Sequence, residues 1–305
     1  MKTTPSLTTR LLATCVAVVV IFSACKKQED SAGTSGQEEF AAVTAETDAT
    51  AEAVFDDAFN NAMGVNTEVG IGGTGIFGRV NVSSTTDAST GRLTGVDSTT
   101  CYAVTITQLS TATRFPLQIT IDFGAGCTDR NGRTRKGKII IVYTGRLINP
   151  GNSATLTFDG YYIDDIKVEG TQKITNTGTI DKKSYTTLVI NAKLSQSNNN
   201  ACEWNSEKTI SQTDGMLTPF LAIDDVFAIS GQANGSVQKD GKYFQWSTIT
   251  TTPLTKRFAC RWISKGTITL QKGNAAVAVL DYGPGTCDNK AIFSVNNVDH
   301  EITLH

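Results

Sequence analysis

Asp122-Phe123-Gly124-Ala125-Gly126-Cys127 is written twice in this chain, returning as Asp281-Tyr282-Gly283-Pro284-Gly285-Thr286-Cys287. A cysteine precedes each copy at nearly the same distance, Cys101 before the first and Cys260 before the second. Between Cys101 and Cys127, residues 101–109 are rich in β-branched and aromatic side chains and read as a strand. Residues 110–114 form a polar break, and Leu117-Gln118-Ile119-Thr120-Ile121 alternates strictly as a returning strand. A strand out and a strand back bring their ends together, so the two cysteines meet at the open end of a hairpin. Residues 266–270 and 276–280 repeat the arrangement between Cys260 and Cys287. The glycines after each Asp permit a tight turn or bulge.

A longer repeat lies between the two copies. Val168-Glu169-Gly170 followed by Ala201-Cys202-Glu203-Trp204-Asn205-Ser206 matches Ile229-Ser230-Gly231 followed by Ala259-Cys260-Arg261-Trp262-Ile263-Ser264. Asp164-Asp165 and Asp224-Asp225 precede the two copies. A period of some sixty residues with several strands in each copy implies successive antiparallel meanders added to one sheet system. The expected fold is all-β, a curved sheet or β-sandwich of antiparallel meanders, with one short N-terminal helix. That helix is residues 51–63, where Val54, Phe55, Ala58, Phe59 and Ala62 share a face, acids lie opposite and Gly64 provides the stop.

The first residues are a targeting segment. Lys2 and Arg10 supply a positive segment before an apolar run over residues 11–22, the length of a signal peptide and too short to span a bilayer. The run ends Ile21-Phe22-Ser23-Ala24-Cys25. Small residues directly before a cysteine resemble the lipobox of bacterial lipoproteins, although Phe22 stands where that family usually has Leu. The resemblance implies that Cys25 is lipidated and becomes the mature N-terminus, with enough hydrocarbon for stable attachment. It also implies an outer-membrane address, since Lys26 rather than Asp follows the cysteine; the body would face the periplasm or the cell surface. The boundaries expected are 1–24 signal peptide, 25–50 flexible tether, 51–150 helix and first β-meander half, and 151–305 second β-meander half.

Over residues 90–305 the chain resembles outer-membrane lipoproteins built of repeated β-meanders, through its cysteine-bearing Gly-x-Gly turns. The resemblance implies no particular activity, so no catalytic residue is carried over.

Cysteine arithmetic follows from this address. Of seven cysteines, Cys15 leaves with the signal peptide and Cys25 carries lipid. The five that remain face an oxidising compartment, where pairing is expected. Cys202 aligns with Cys260, but no second turn cysteine follows it. The pairs expected are Cys101–Cys127 and Cys260–Cys287, with Cys202 a free, buried thiol. The rival arrangement joins Cys202 to Cys127 or Cys260 across neighbouring strands.

Chemical motifs are few. A formal net charge of −2 argues against a nucleic-acid partner. Asp122-Phe123-Gly124 spells a kinase motif without the rest of that signature. Gly70-Ile71-Gly72-Gly73-Thr74-Gly75 spells a dinucleotide loop without the helix that should follow. The basic stretch over residues 128–138 reads as a solvated hairpin tip, or else as a docking site for an acidic surface. His300 and His305 are the only histidines, and no nucleophile motif accompanies them. The reading is therefore of no enzyme, cofactor or metal site. A membrane-anchored binding or structural module, whose partner is an envelope protein, lipid or glycan, comes first. A carrier holding a hydrophobic or glycan ligand on a concave sheet face comes second, with Tyr161, Tyr162, Trp204 and Trp246 as candidate ligand residues if exposed. A hydrolase using loop carboxylates comes third.

Overall fold

The computed structural model describes residues 29–64, 85–87, 92–95, 101–128, 132–179, 181–196, 200–218 and 224–304. Cys25, the signal peptide, the glycine-rich loop at 70–75 and His305 lie outside them. Among the described residues one helix, α1 (Glu29–Met63), is followed only by strands. These are β1 (Thr85–Asp87), β2 (Arg92–Gly95), β3 (Ala103–Gln108), β4 (Leu117–Asp122), β5 (Cys127–Thr128), β6 (Thr134–Tyr143), β7 (Ser153–Ile163) and β8 (Ile166–Asn176). There follow β9 (Ser184–Ser195), β10 (Ala201–Asp214), β11 (Val226–Lys239), β12 (Lys242–Arg257), β13 (Lys265–Lys272), β14 (Ala275–Pro284), β15 (Lys290–Val295) and β16 (Val298–Thr303).

All sixteen strands belong to one sheet, and their spatial order is their sequence order, with β5 set aside as a short partner of β6. The fold is thus all-β and antiparallel, as the repeat implies. The pairing of β6 with β7 carries the sheet across residue 150, so the two meander halves form one sheet over one continuous core. The expected hairpins are present: Ile119 faces Ile106 in β3–β4, and Ile268 faces Leu280 in β13–β14.

The sheet curls around α1, which touches β7 and every strand from β10 to β15. Strand alternation feeds this arrangement. Leu117, Ile119 and Ile121 of β4, and Ile139, Ile141 and Tyr143 of β6, point inward and are buried. Curvature is concentrated at bulges. Gly170 and Gly231, matched positions of the long repeat, have φ of 114° and 154° beside register shifts in β8 and β11. A Cβ on Gly231 would lie 2.2 Å from the Glu207 carbonyl oxygen, and one on Gly170 2.7 Å from the Ala192 Cα. Each strand bends where only glycine lets the neighbouring backbone come this close.

The helix departs most from expectation. The stretch expected to be a flexible tether up to residue 50 is helical from Glu29 onward, and it is structural core from Phe40. Phe40, Ala41, Val43, Thr44, Ala45, Asp48 and Ala49 are all buried. At 100° per residue these positions and those of 51–63 cover most of the helix circumference rather than one stripe. Threonine normally disfavours helix, but here its hydroxyls turn back on the helix. Thr44 donates to the Phe40 carbonyl at 2.7 Å, Thr47 to Val43 at 2.6 Å and Thr50 to Glu46 at 2.8 Å. The surrounding sheet supplies the burial that propensity lacks. Gly64, at φ 72°, ends the helix as expected.

Candidate functional site

The acids of residues 51–63, expected opposite the apolar face, and those of the expected tether, Glu39, Glu46 and Asp48, instead meet a matching set of donors on the sheet. Glu39 pairs with Lys242 at 2.6 Å and Glu46 with Lys239 at 3.4 Å, both near the surface. Deeper in, Asp48 accepts the indole N–H of Trp204 at 2.9 Å and that of Trp246 at 3.1 Å. Glu52 contacts Lys208, and Asp56 pairs with Lys256 at 2.5 Å. Asp57 takes Arg135 at 2.7 Å and Arg133 at 3.2 Å. Six carboxylates spaced along one helix are each answered by a strand residue far away in sequence. A buried charge left without a partner costs several kcal/mol, so these matches fix how far and at what rotation α1 sits in the sheet.

Electrostatics at the deep end follow from this packing. Burial alone would raise the Asp57 carboxyl. Arg135 and Arg133 more than offset it by charge and hydrogen bonding, and hold Asp57 below its ordinary range. Burial raises the phenols of Tyr143, Tyr161, Tyr185 and Tyr282 above theirs. Tyr143 donates to the Ala62 carbonyl at 2.7 Å and closes the last turn of α1.

Two sequence expectations are corrected here. The basic stretch at 128–138 is not simply a solvated tip, because Arg133 and Arg135 are 7% and 4% exposed and reach inward to Asp57. Three of the four candidate ligand aromatics are not exposed either. Trp204, Trp246 and Tyr161 are 1–2% exposed, and the concave face they line is filled by α1. Phe55 stacks on Trp204 with ring centroids 5.5 Å apart, and Phe158 stacks on Tyr161 at 5.5 Å. Tyr162 is half-buried beneath the Lys136 ammonium, 4.0 Å from its ring.

The five cysteines from Cys101 onward stand as expected. Cys101 is bonded to Cys127, Cys260 to Cys287, and Cys202 is a free buried thiol. Burial, with the charges of Asp48 and Glu203 nearby, pushes the Cys202 thiol up to about 12. Next to the disulfide hairpins, Asp164 of the β7–β8 turn takes Arg133 at 3.2 Å and Arg261 at 3.5 Å. Asp164 and Asp165 occupy the two positive-φ positions of that turn. Asp225 instead is buried, with Lys183 at 2.7 Å and the Gln212 amide at 2.6 Å.

Other chemistry is sparse. His300 lies flat against Phe293, its direct partner across β15–β16, at 4.8 Å. No group of three His, Cys, Asp or Glu residues placed for a metal occurs among the described residues. Among them no helix is long and apolar enough to cross a membrane. An open groove of about 470 Å³ lies across β9–β12, with exposed Thr186, Thr209, Ser230, Gln232 and Ile249 on its walls. A cleft of about 100 Å³ opens between α1 and the strands at Thr47, Thr50, Ile166, Leu194 and Cys202.

Comparison with protein-family models, with curated proteins and with solved structures finds no match to this chain.

Proposed function

We propose that the protein is a lipoprotein of the bacterial cell envelope, attached to the outer membrane through Cys25, and that its body is a non-enzymatic binding or structural module. The observation that carries this reading is the sequence Ile21-Phe22-Ser23-Ala24-Cys25 at the end of an apolar run. Two disulfides fit the oxidising compartment that such an address supplies. The acids of α1 serve the helix–sheet interface, which is a structural employment for the densest set of titratable groups. Fractionation tests the reading: wild type is expected with the membranes and Cys25→Ser in the soluble fraction. An unchanged membrane fraction for Cys25→Ser would overturn it.

The groove across β9–β12 favours a second reading, a glycan ligand. Its hydroxyls, the Gln232 amide and the aliphatic Ile249 offer hydrogen bonds beside apolar contact, the combination that sugars use. On this reading the ligand sits on the outer sheet face, since the concave one is filled by α1. Chemical-shift changes confined to Thr209, Ser230 and Gln232 on adding envelope oligosaccharides would support it. Changes scattered over the surface would not.

A further inference from the structure

The same helix that fills the sheet also leads back toward Cys25, and its seating fixes a direction. From residue 35, where burial is described, Phe40 is the first buried residue of α1, packed 6.4 Å from the Phe244 ring, with Glu39 held by Lys242. Before it, residues 35–37 and Glu39 are exposed, so the helix leaves the sheet at this end. From Glu29 to Phe40 is 11 residues of helix, about 17 Å at 1.5 Å each. From Cys25 to Glu29 is four residues, at most about 14 Å when fully extended. The far end of α1, at Met63, lies about 35 Å further along the axis.

We propose that the end of the body carrying the β11–β12 and β13–β14 turns faces the phospholipid headgroup layer, with α1 as a short stalk between lipid and sheet. This inference rests on acylation of Cys25. At that end Lys239 and Lys242 are held by Glu46 and Glu39, Asp240 lies in the turn between them, and Lys272 lies 5.3 Å from the Phe40 ring, so the surface suits a headgroup layer by its mixed polar character and not by net positive charge. Tyr243 is 68% exposed next to them. An exposed tyrosine among lysines is the side-chain combination that rests at a membrane interface. The opposite end, with Asn149 in the loop that follows Tyr143, is held away from the membrane by the length of the helix.

The test uses the full acylated chain in vesicles of phosphatidylethanolamine with a minority of phosphatidylglycerol, carrying an energy acceptor on a headgroup. A donor dye is attached in turn at Asn274→Cys, in the β13–β14 turn, and at Asn149→Cys. Cys202, buried and with its thiol pushed up, stays unlabelled in the native protein. Transfer is expected to be several-fold greater from position 274 than from 149. Equal transfer, or more from 149, overturns the orientation. The mass of the N-terminal peptide and flotation with the vesicles are read on the same sample. An acylated, floating protein with equal transfer sinks the orientation alone; a chain that is neither acylated nor floating sinks the anchoring reading and the orientation with it.

Discussion

Asp48 of the helix accepts the indole N–H of Trp204, 156 residues later in the chain, at 2.9 Å, with both groups inside the sheet. The same oxygen takes Trp246 at 3.1 Å, so one carboxylate satisfies two buried donors. The two tryptophans lie on β10 and β12, and Asp48 ties both to the helix between them. Removing the carboxylate leaves both indoles unpaired in an apolar surround. Asp48→Ala is expected to destabilise the fold by about 3 kcal/mol or more, and Asp48→Asn, which keeps an acceptor oxygen, by less. Urea unfolding followed by tryptophan fluorescence reads both.

The Asp57 cluster sets the acid limit. Its folded carboxyl is held below the ordinary 3.8, so it contributes stability at higher pH and loses it as pH falls below about 4. The urea midpoint should be flat from pH 7 to 5 and drop steeply below 4. Asp57→Asn leaves Arg133 and Arg135 short of a counter-charge. It is expected to cost about 3–5 kcal/mol at pH 7 and to flatten the acid slope.

The buried tyrosines set the alkaline limit. Their folded phenols lie above the ordinary 10.0, so the stability they contribute is complete below pH 10 and is lost as pH rises beyond it. The ionised-phenol absorbance of these four tyrosines should appear together with unfolding, not before it. A smooth titration of most tyrosines in the folded state would contradict the burial described.

The hairpin disulfides span 26 and 27 residues. In the chain-entropy account each loop of that size contributes about 3 kcal/mol through the unfolded state. Paired Cys260→Ala and Cys287→Ala substitution should lower stability by about that amount while the fold persists. Alkylation of Cys202 at pH 8 should be blocked in the native protein and proceed on unfolding; modification in the native state would show the thiol exposed.

Much of the fold was legible because a local rule repeated. Strict alternation in residues 117–121 marked β4, and the doubled Asp-aromatic-Gly turn located both hairpins and hence both disulfides. The partnerless Cys202 was legible for the same reason. The first half of α1 was not. Thr44, Thr47 and Thr50 have little helix propensity, and their back-bonded hydroxyls and burial exist only once the sheet surrounds them. The match between α1 acids and strand cations was hidden too, because each partner lies 76 or more residues away. Trp204 and Trp246 were candidates for ligand contact since their type alone does not tell a binding face from a core. The helix that covers them decided it. Asp225 was hidden similarly: it shares a dipeptide with Asp164-Asp165 but is buried by Lys183 and Gln212 rather than exposed in a turn.

The anchoring claim is tested most directly by the mass of the N-terminal peptide of the protein taken from membranes. The account predicts that the chain begins at Cys25, with diacylglycerol on its sulfur and an acyl chain on its amino group. A mature chain that begins elsewhere, or an unmodified Cys25, would contradict it.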